Sequence, residues 1–247
     1  MPNLTIGVLA LQGAFAEHSK HLVQAAQAGS TSPLSKYTVS VIEVRTPEQL
    51  NLTDALVLPG GESTAISLIA ERTGLLDPLR EYVQIKRRPV WGTCAGLILL
   101  SDETTRAKRG GQELIGGLHV RCQRNHYGRQ TESFSAALDL PFIKLDDEDP
   151  FVAIFIRAPV VEKILASTDL KEDDDVDIPD LVHAPRLHRQ SSDSLAPVEI
   201  IAKVDSDIVA VRQGSIFGTT FHPELTPDVR LHRWWLTDCV VPNLAQS

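Results

Sequence analysis

The sequence has little cysteine, no excess of positive charge and no long apolar run. Its three cysteines, Cys94, Cys122 and Cys239, lie far apart in the chain. An odd number of distant cysteines argues against a disulfide framework and favours a reducing compartment, so we expect a cytoplasmic protein. The apolar run from Leu4 to Leu11 is too short to cross a membrane or to form the core of a signal peptide.

Acidic residues outnumber basic ones, with 32 aspartates and glutamates against 24 lysines and arginines, and the formal net charge is −8. A chain with this balance is not generally attracted to phosphate backbones or to anionic lipids. We therefore expect neither nucleic acid nor a membrane among its partners.

At 247 residues, of which 43% are hydrophobic, the chain is long enough for one large α/β domain or two small ones, and disorder is excluded. Strand-length apolar segments alternate with helical patterns in its first half, as in Leu4 to Leu11, Tyr37 to Val44, Ala55 to Leu58 and, after a candidate N-cap at Ser63, Thr64 to Ala70. This alternation predicts a doubly wound, mostly parallel sheet flanked by helices, with ligands beyond the carboxyl ends of the strands.

The second half contains shorter strand-like segments that could extend the same sheet at one edge, followed by a closing helix over Pro227 to Val240. We interpret the whole chain, residues 1–247, as one domain. The strand-like segments are Leu118 to Cys122, Ser133 to Leu138, Val152 to Ile156, Glu199 to Val204, Ile208 to Val211 and Ser215 to Phe221.

Two stretches are interpreted as loop insertions in that domain, residues 28–36 and residues 169–197. The first is rich in glycine, serine, threonine and proline, and the second contains an acidic run that is typical of a solvated loop. A calcium loop starting at Asp173 is disfavoured, because Ile178 and Ala184 stand where the turn glycine and the bidentate glutamate belong.

Two histidines, His183 and His188, lie in the second insertion. They have no cysteine or carboxylate pattern around them, so we expect them to be exposed to solvent. We predict no metal site and no cofactor.

A cysteine flanked by glycines carries the strongest chemical signal. The segment from Val90 to Gly96 has the form strand, G-x-C-x-G, helix, which is the thiol counterpart of the G-x-S-x-G nucleophile elbow. Glycines at Gly92 and Gly96 permit a sharp turn that presents the Cys94 side chain. At a helix N-terminus the thiolate is favoured, and the Ala95 N–H can stabilise an oxyanion. Taken alone, the pattern also fits a small buried cysteine.

A histidine and a glutamate two residues apart follow the last strand-like segment. In an extended chain His222 and Glu224 project to the same side, about 6 to 7 Å apart, and Pro223 biases His222 away from helix. A glutamate can span that gap to the second ring nitrogen and fix the imidazole tautomer. The alternative is a turn in which His222 ends a strand. With the Cys94 elbow, the pair predicts a Cys-His-Glu triad.

The glycine pair Gly60-Gly61 ends another predicted strand before another helix, so it should lie on the same rim of the sheet as Cys94. Adjacent glycines permit positive φ and let a backbone N–H turn toward a reacting carbonyl. The Gly-Lys-Ser/Thr ending of a phosphate loop is missing. An ordinary turn before a helix is the alternative.

Six motifs follow one another along the chain: Val8 to Gly13, Pro59 to Thr64, Gly92 to Leu97, Arg124-Asn125 with Tyr127 to Gln130, Phe155 to Pro159, and Phe221 to Thr226. Together they closely resemble the glutaminase subunits of pyridoxal 5′-phosphate synthase, a family of class I, triad-type glutamine amidotransferases with a flavodoxin-like fold. The resemblance runs from about residue 4 to residue 240, interrupted by the two insertions.

The resemblance implies a role for each matching position. Cys94 would attack the side-chain amide of L-glutamine, His222 would pass a proton to the departing ammonia, and Glu224 would orient His222. The amides of Gly61 and Ala95 would form the oxyanion hole. The implied L-glutamine-binding positions are Gly61, Glu62, Ser63, Arg124, Ile156 and Arg157.

The resemblance also implies a partner. Members of the family pass ammonia to a barrel-fold synthase subunit in a large hetero-oligomer that makes vitamin B6, and the first helix, beginning at Gln12-Gly13, contributes to that contact. The synthase subunit, and not this chain, would bind the sugar phosphates.

Two other functions compete with this one. A peptidase or γ-glutamyl hydrolase on the same scaffold is disfavoured because such enzymes lack the motifs of Arg124 and Ile156-Arg157 in this context. A non-catalytic partner that kept the fold would be marked by loss of the cysteine, the histidine or the acid, and all three are present.

Overall fold

A computed structural model describes residues 1–27, 32–105, 112–126, 133–143, 149–165, 181–187 and 196–244. The strands in these ranges are β1 (Asn3–Leu9), β2 (Thr38–Val44), β3 (Ala55–Leu58), β4 (Val90–Thr93), β5 (Ser101–Thr105), β6 (Leu118–Gln123), β7 (Ser133–Leu138), β8 (Phe151–Ile156), β9 (Val160–Ile164), β10 (Val182–His183), β11 (Glu199–Val204), β12 (Asp207–Gln213) and β13 (Ile216–Thr219).

The α-helices in the same ranges are α1 (Phe15–Ala26), α2 (Pro47–Asn51), α3 (Ser63–Arg72), α4 (Leu76–Arg80), α5 (Ala95–Leu100), α6 (Arg230–Trp234) and α7 (Val241–Leu244). Short 3-10 turns cover Pro33–Lys36, Pro141–Ile143 and Pro223–Leu225, and π-helical turns cover Glu81–Ile85 and Trp235–Val240.

The centre of the large sheet is parallel, with the strand order β2-β1-β3-β4-β13. Every residue of β3 and of β4 is buried, as expected where helices cover both faces of a parallel sheet. This is the doubly wound, flavodoxin-like strand order. The predicted fold class is therefore confirmed.

Beyond β13 the sheet becomes mixed. Strand β12 pairs antiparallel with β13, β11 and β9, and the sheet continues from β9 through β6 and β5 to β10. Three of the six predicted second-half segments, those of β6, β11 and β12, thus extend the large sheet at one side, as expected. Strand β13 is not part of that extension, because it lies inside the parallel centre, beside β4.

Strands β7 and β8 do not join the large sheet, and they form a separate antiparallel pair. Along β8 the side chains alternate, with Phe151, Ala153 and Phe155 buried and their neighbours more exposed. Such a pair covers the core with one face and leaves the other in solvent. The Phe155 ring lies 5.6 Å from that of Phe221, so the pair packs beside the segment that follows β13.

Apolar side chains fill two cores, one on each face of the large sheet. The first brings α1 and the C-terminal helices together around Leu22, Trp91 and Trp235. The second brings α3, α4 and α5 together around residues such as Ile66 and Leu97. The central strands are held between these two layers, which fixes the positions of their carboxyl ends.

Helix α3 begins at Ser63, and its N-cap is Glu62. The Glu62 carboxylate accepts hydrogen bonds from the N–H groups of Thr64 and Ala65, at 3.2 and 2.7 Å. The prediction that Ser63 caps this helix is therefore wrong. A carboxylate is an equally good cap and is also favoured by the helix dipole.

The C-terminal helical segment begins later than predicted, at Arg230 instead of Pro227. The Asp228 carboxylate accepts a hydrogen bond from the Arg230 N–H at 2.9 Å. After Trp234 the helix widens into a π-helical turn and then continues to Leu244.

Parts of the two predicted insertions lie within the described ranges. Leu34 of the first is buried in a 3-10 turn, and β10 of the second pairs with β5. His183 is exposed, as predicted. Asp173 and His188 lie outside the described residues. Within the described ranges, no helix is long and apolar enough to cross a membrane.

Candidate active site

The predicted reactive segments come together beyond the ends of three neighbouring strands. Strand β3 leads into Gly60-Gly61, β4 ends immediately before Cys94, and β13 ends three residues before His222. Because these strands are adjacent and parallel, their carboxyl ends share one rim of the sheet. The Cys94 N–H also donates a hydrogen bond to the Thr219 carbonyl at 2.8 Å, which ties the cysteine to the end of β13.

Cys94 occupies a sharp turn between β4 and α5. Its φ is 47°, in the left-handed region that residues other than glycine rarely adopt. A Cβ on Gly96 would lie 2.0 Å from the Leu58 carbonyl oxygen, so only glycine fits where the turn passes β3. The predicted strand, cysteine turn and helix are therefore confirmed as local structure.

His222 and Glu224 form a hydrogen-bonded pair directly after β13. His222 Nδ1 lies 2.8 Å from Glu224 Oε1, and both side chains are buried. The chain between them is a 3-10 turn instead of the extended segment that the sequence predicted, yet the two side chains still meet. The His222 N–H donates to the Ile154 carbonyl of β8 at 2.8 Å, which holds its backbone from the other side.

The electrostatics of this pair favour a charged imidazole. Burial opposes the imidazolium, but hydrogen bonds and charges from Cys94 and Glu224 outweigh it and raise the pKa of His222 to about 10. Burial also opposes the Glu224 carboxylate, but His18 and His222 hold the pKa of Glu224 well below its usual value. The result is an imidazole between a sulfur and a carboxylate, the arrangement that nucleophilic catalysis by cysteine requires.

The loop after β3 passes close to both reactive side chains. A Cβ on Gly60 would lie 2.3 Å from His222 Cε1 and 3.4 Å from Cys94 Cβ, so a larger residue cannot occupy this position. The Gly60 carbonyl accepts a hydrogen bond from the Ala14 N–H at 3.0 Å. Because the peptide is trans, the Gly61 N–H points the opposite way, away from the start of α1.

A buried arginine reaches the same loop from the end of β6. Arg124 Nη2 lies 3.3 Å from Glu62 Oε1, and Arg124 is 8% exposed whereas Glu62 is open to solvent. Burial lowers the pKa of Arg124 and the neighbouring carboxylate partly restores it, but a guanidinium stays protonated in proteins. Among the described residues, nothing accepts a hydrogen bond from Arg124 Nη1. The site thus contains a buried cation with donor capacity to spare.

Ile156 and Arg157 lie at the end of β8, and both are exposed. The next carbonyl, that of Ala158, accepts a hydrogen bond from the His126 N–H at 3.3 Å. The end of β8 and the turn after β6 are therefore adjacent, which brings Arg157 and Arg124 to one side of the site. The motif segment from Tyr127 to Gln130 lies outside the described residues.

Two glutamines contact the Glu62-Ser63 segment, although the sequence assigned neither of them a role inside the site: Gln12 was expected only in the contact with the synthase subunit. Gln12 Oε1 accepts a hydrogen bond from the Glu62 N–H at 2.8 Å, and Gln112 Oε1 accepts one from the Ser63 hydroxyl at 2.9 Å. The Ser63 hydroxyl is thus already engaged, and Ser63 is buried. Gln12 belongs to a motif that could have drawn attention to it, whereas Gln112 lies in no recognisable pattern.

A third contact missed from the sequence is made by His18 of α1. Its Nε2 lies 3.2 Å from Glu224 Oε2, and the residue is fully buried. The sequence offered one indication of this contact, a histidine on the inward face of the first predicted helix.

Of the two other cysteines, Cys122 lies on β6 and Cys239 in the C-terminal π-helical turn, and both are buried. Burial raises the pKa of Cys122 and of Cys239 to about 12, so neither thiol ionises readily at neutral pH. Within the described part of the chain, no cluster of three or more histidine, cysteine, aspartate or glutamate side chains is arranged to hold a metal ion.

A doubly wound sheet with a cysteine turn after β4 and a histidine–glutamate pair after β13 defines a class I glutamine amidotransferase fold. The model of the SNO glutamine amidotransferase family matches residues 8–184 and 167–241. The chain belongs to this family.

Relatives and solved structures agree with that membership. The chain is 42% identical over 242 residues to the pyridoxal 5′-phosphate synthase subunit PdxT of Streptomyces coelicolor, covering 98% of this chain and 96% of the relative. It is 38% identical over 238 residues to the probable pyridoxal 5′-phosphate synthase subunit PDX2 of Arabidopsis thaliana, covering 94% and 85%. A crystal structure of a glutamine amidotransferase superimposes with a TM-score of 0.68 at 34% identity, covering 94% of this chain and 96% of that one.

Proposed function

We propose that this chain is the glutaminase subunit of a pyridoxal 5′-phosphate synthase and hydrolyses L-glutamine to L-glutamate and ammonia. One observation carries the proposal: His222 is hydrogen-bonded to Glu224 and lies, with Cys94, around Gly60 at the common rim of β4 and β13. The names of the two relatives, both subunits of that synthase, support the biosynthetic role.

Cys94 is the proposed nucleophile. His222 Nε2 holds the proton given up by the Cys94 thiol, the sulfur bonds to the side-chain amide carbon of glutamine, and the carbonyl electrons move onto the oxygen. The N–H groups of Gly61 and Ala95 are the proposed oxyanion donors, at the two loops that border the sulfur. His222 Nε2, the ring nitrogen not bonded to Glu224, gives a proton to the amide nitrogen. The C–N bond then breaks, ammonia leaves and a thioester remains on Cys94.

Water completes the proposed cycle. His222 removes a proton from the water, the resulting hydroxide attacks the thioester carbon, and the Cys94 sulfur leaves as glutamate forms. Glu224 holds the Nδ1–H of His222 in both steps, so that Nε2 stays directed at the reacting atoms and the positive charge on the ring is compensated.

Substrate recognition is assigned to residues beside the triad. The buried Arg124, with its unused donor at Nη1, suits the α-carboxylate of glutamine, and the exposed Glu62 suits a cationic amino group. Ile156 and Arg157 close the same side from the end of β8. The full set of proposed glutamine-binding residues is Gly61, Glu62, Ser63, Arg124, Ile156 and Arg157.

The ammonia would be delivered to a barrel-fold synthase subunit in a large hetero-oligomer, with the start of α1 near Gln12-Gly13 as part of the contact.

We also propose that the chain folds as one domain, residues 1–247, with insertions at 28–36 and 169–197. A cytoplasmic location suits the chemistry, because Cys94 acts only as a reduced thiol.

The first experiment measures glutamate and ammonia release by the purified chain mixed with the synthase subunit from the same organism. The complex should hydrolyse glutamine, and Cys94→Ala should lower kcat by about 10⁴-fold or more while the complex still forms. Cys122→Ala is the matched control and should retain activity. Undiminished hydrolysis by Cys94→Ala would refute the assignment of the nucleophile.

A glutamine-derived electrophile gives a second, independent readout. Mass spectrometry after labelling of the complex should find the adduct on Cys94. Adducts on Cys122 or Cys239 in place of Cys94 would contradict the proposed chemistry, since both of these thiols are buried and have a raised pKa.

A further inference from the structure

The carboxylate of Glu224 is held on both sides by histidines. Its Oε1 accepts from His222 Nδ1 at 2.8 Å, and its Oε2 lies 3.2 Å from His18 Nε2. His18 and Glu224 come from distant parts of the chain, α1 and the turn after β13. The proposed mechanism uses only the first of these contacts, so the second calls for a separate explanation.

His18 is surrounded by polar groups from three other elements. Besides Glu224, Thr93 Oγ1 of β4 lies 3.2 Å from His18 Nε2, and His232 Nε2 of α6 lies 3.0 Å from His18 Nδ1. On α1 itself, His21 packs against the His232 ring with centroids 5.1 Å apart. His18 is therefore a fully buried imidazole with both ring nitrogens engaged.

The contacts determine where the protons lie. An ionised carboxylate only accepts hydrogen bonds, so the 3.2 Å approach of His18 Nε2 to Glu224 Oε2 favours the tautomer in which Nε2 carries a hydrogen, and this hydrogen can be donated to Thr93 Oγ1. Burial lowers the pKa of His232 well below its usual value, so His232 is neutral. A neutral His232 can donate its Nε2–H to His18 Nδ1, which leaves the hydrogen of His18 on Nε2, on the side of Glu224 and Thr93.

Glu224 Oε2 is stabilised by the nearby His18 ring. Within the described part of the chain no donor, His18 included, meets hydrogen-bonding geometry at that oxygen, but His18 Nε2 lies 3.2 Å away at ion-pair distance, and Glu224 is only 3% exposed. A buried carboxylate oxygen without a donor is costly. If His18 were removed, the carboxylate would therefore turn or take up a proton, and either change would weaken its hold on His222.

We propose that His18 is a positioning residue of the glutaminase reaction, which keeps the Glu224 carboxylate directed at His222. This inference rests on the proposed function. It also gives α1 a second link to the site, because Ala14, immediately before α1, donates to the Gly60 carbonyl of the oxyanion loop. One helix is thus connected both to the acid of the triad and to the loop beside the sulfur.

Four variants of the full chain, assayed with the synthase subunit, separate positioning from packing. His18→Leu removes both ring nitrogens, His18→Asn is too short to reach Glu224, and His18→Gln can place an amide N–H near the position of Nε2. His21→Leu is the matched control, since His21 is also buried on α1 and touches His232 but not Glu224.

His18→Leu and His18→Asn should lower kcat by about 10- to 100-fold with little change in KM for glutamine, as is typical when a supporting contact of a catalytic group is lost. His18→Gln should recover most of kcat, and His21→Leu should stay within about twofold of the unmodified chain. Should His18→Leu fail to fold, the comparison of His18→Gln with His18→Asn still decides. Equal kcat values in those two variants overturn the proposal.

A measurement that needs no glutamine turnover keeps this inference separate from the proposed function. NMR titration of the His222 ring should show a lower pKa in His18→Asn than in His18→Gln or His21→Leu. If the pKa of His222 is lower in His18→Asn but the unmodified complex hydrolyses no glutamine, the positioning role of His18 stands and the proposed function fails. If the complex is active but the His222 pKa is the same in all variants, the positioning role fails.

Discussion

The centre of the site, formed by the three proposed triad residues, differs in construction from what we here call its rim, the surrounding residues proposed to bind glutamine. Cys94, His222 and Glu224 are each less than 10% exposed, and each is held by contacts from a neighbouring element. Glu62 and Arg157, by contrast, are open to solvent at the ends of a loop and a strand. The groups that we propose to react are therefore in place without substrate, whereas Glu62 and Arg157, among those that we propose to bind glutamine, remain accessible; Ser63 and Arg124 of that set are buried.

This contrast predicts that the two regions affect different kinetic constants. A group that acts only on the transition state changes kcat, and a group that binds substrate and transition state alike changes KM. Substitutions at the centre and at the rim can therefore test whether the structural division is also a functional one.

After Cys94→Ala, the largest effect is expected at the imidazole. His222→Ala should lower kcat by about 10³- to 10⁴-fold with KM for glutamine nearly unchanged, because proton transfer to the leaving ammonia is lost. Steady-state glutaminase kinetics of the complex measure this. His183→Ala, an exposed histidine far along the sheet, is the control and should behave like the unmodified chain. A rise in KM at constant kcat would place His222 with the rim.

A smaller loss is expected at the acid. Glu224→Gln keeps the shape of the side chain but removes its charge, so it should lower kcat by about 10²- to 10³-fold. It should also lower the pKa of His222, since the carboxylate is one of the groups that raise it. The pH dependence of kcat/KM measures the second effect. A profile identical to that of the unmodified chain would contradict the role given to Glu224.

Arg124 is the buried member of the proposed glutamine-binding set. Arg124→Met should raise KM by about 10- to 100-fold and leave kcat within about threefold, because the proposed charge-assisted contact to the substrate carboxylate is lost. Arg121→Met is a matched control. Arg121 lies three residues earlier on β6 and pairs with Glu103, so its loss should not affect KM. If Arg124→Met instead lowered kcat alone, the division between centre and rim would be wrong.

The smallest effect concerns stability. The folded-state pKa of His222, about 10, lies above the ordinary value of 6.5, so protonation of His222 stabilises the fold fully below pH 6.5. This contribution is lost as the pH rises from 6.5 through 10. The difference in the free energy of unfolding between the unmodified chain and His222→Ala should therefore shrink by on the order of 1 kcal/mol between pH 6 and pH 10. Urea unfolding at the two pH values measures it.

The sequence predicted those parts of the site that depend on short-range geometry. Glycines two residues either side of Cys94 permit the turn after β4, and two residues separate His222 from Glu224, so both features are encoded within a few positions. Alternating strands and helices then place the two segments on the same rim. The same alternation predicts that β3 and β4 are parallel neighbours. It does not predict that β13 lies beside β4, because β13 comes from the far end of the chain.

The features that the sequence did not predict depend on distant contacts. Nothing near His18 indicates that it reaches Glu224, because α1 and the turn after β13 are separated by most of the chain. The alternating pattern of β8 suits a sheet edge as well as a separate pair, and only its packing beside Phe221 decides between them. The cap of α3 could have been either Glu62 or Ser63, and the contact of Ser63 with Gln112 leaves the role to Glu62.

Strand β8 has a consequence for how this protein tolerates changes in length. Its Ile154 carbonyl holds the backbone of His222, and Ile156 follows two positions later on the same strand. The spacing between these positions is therefore about 7 Å and is set by strand geometry. Segments of different length can be accommodated before β7 or after β9 without altering this spacing, whereas a single residue added within β8 would displace Ile156 and Arg157 relative to the imidazole.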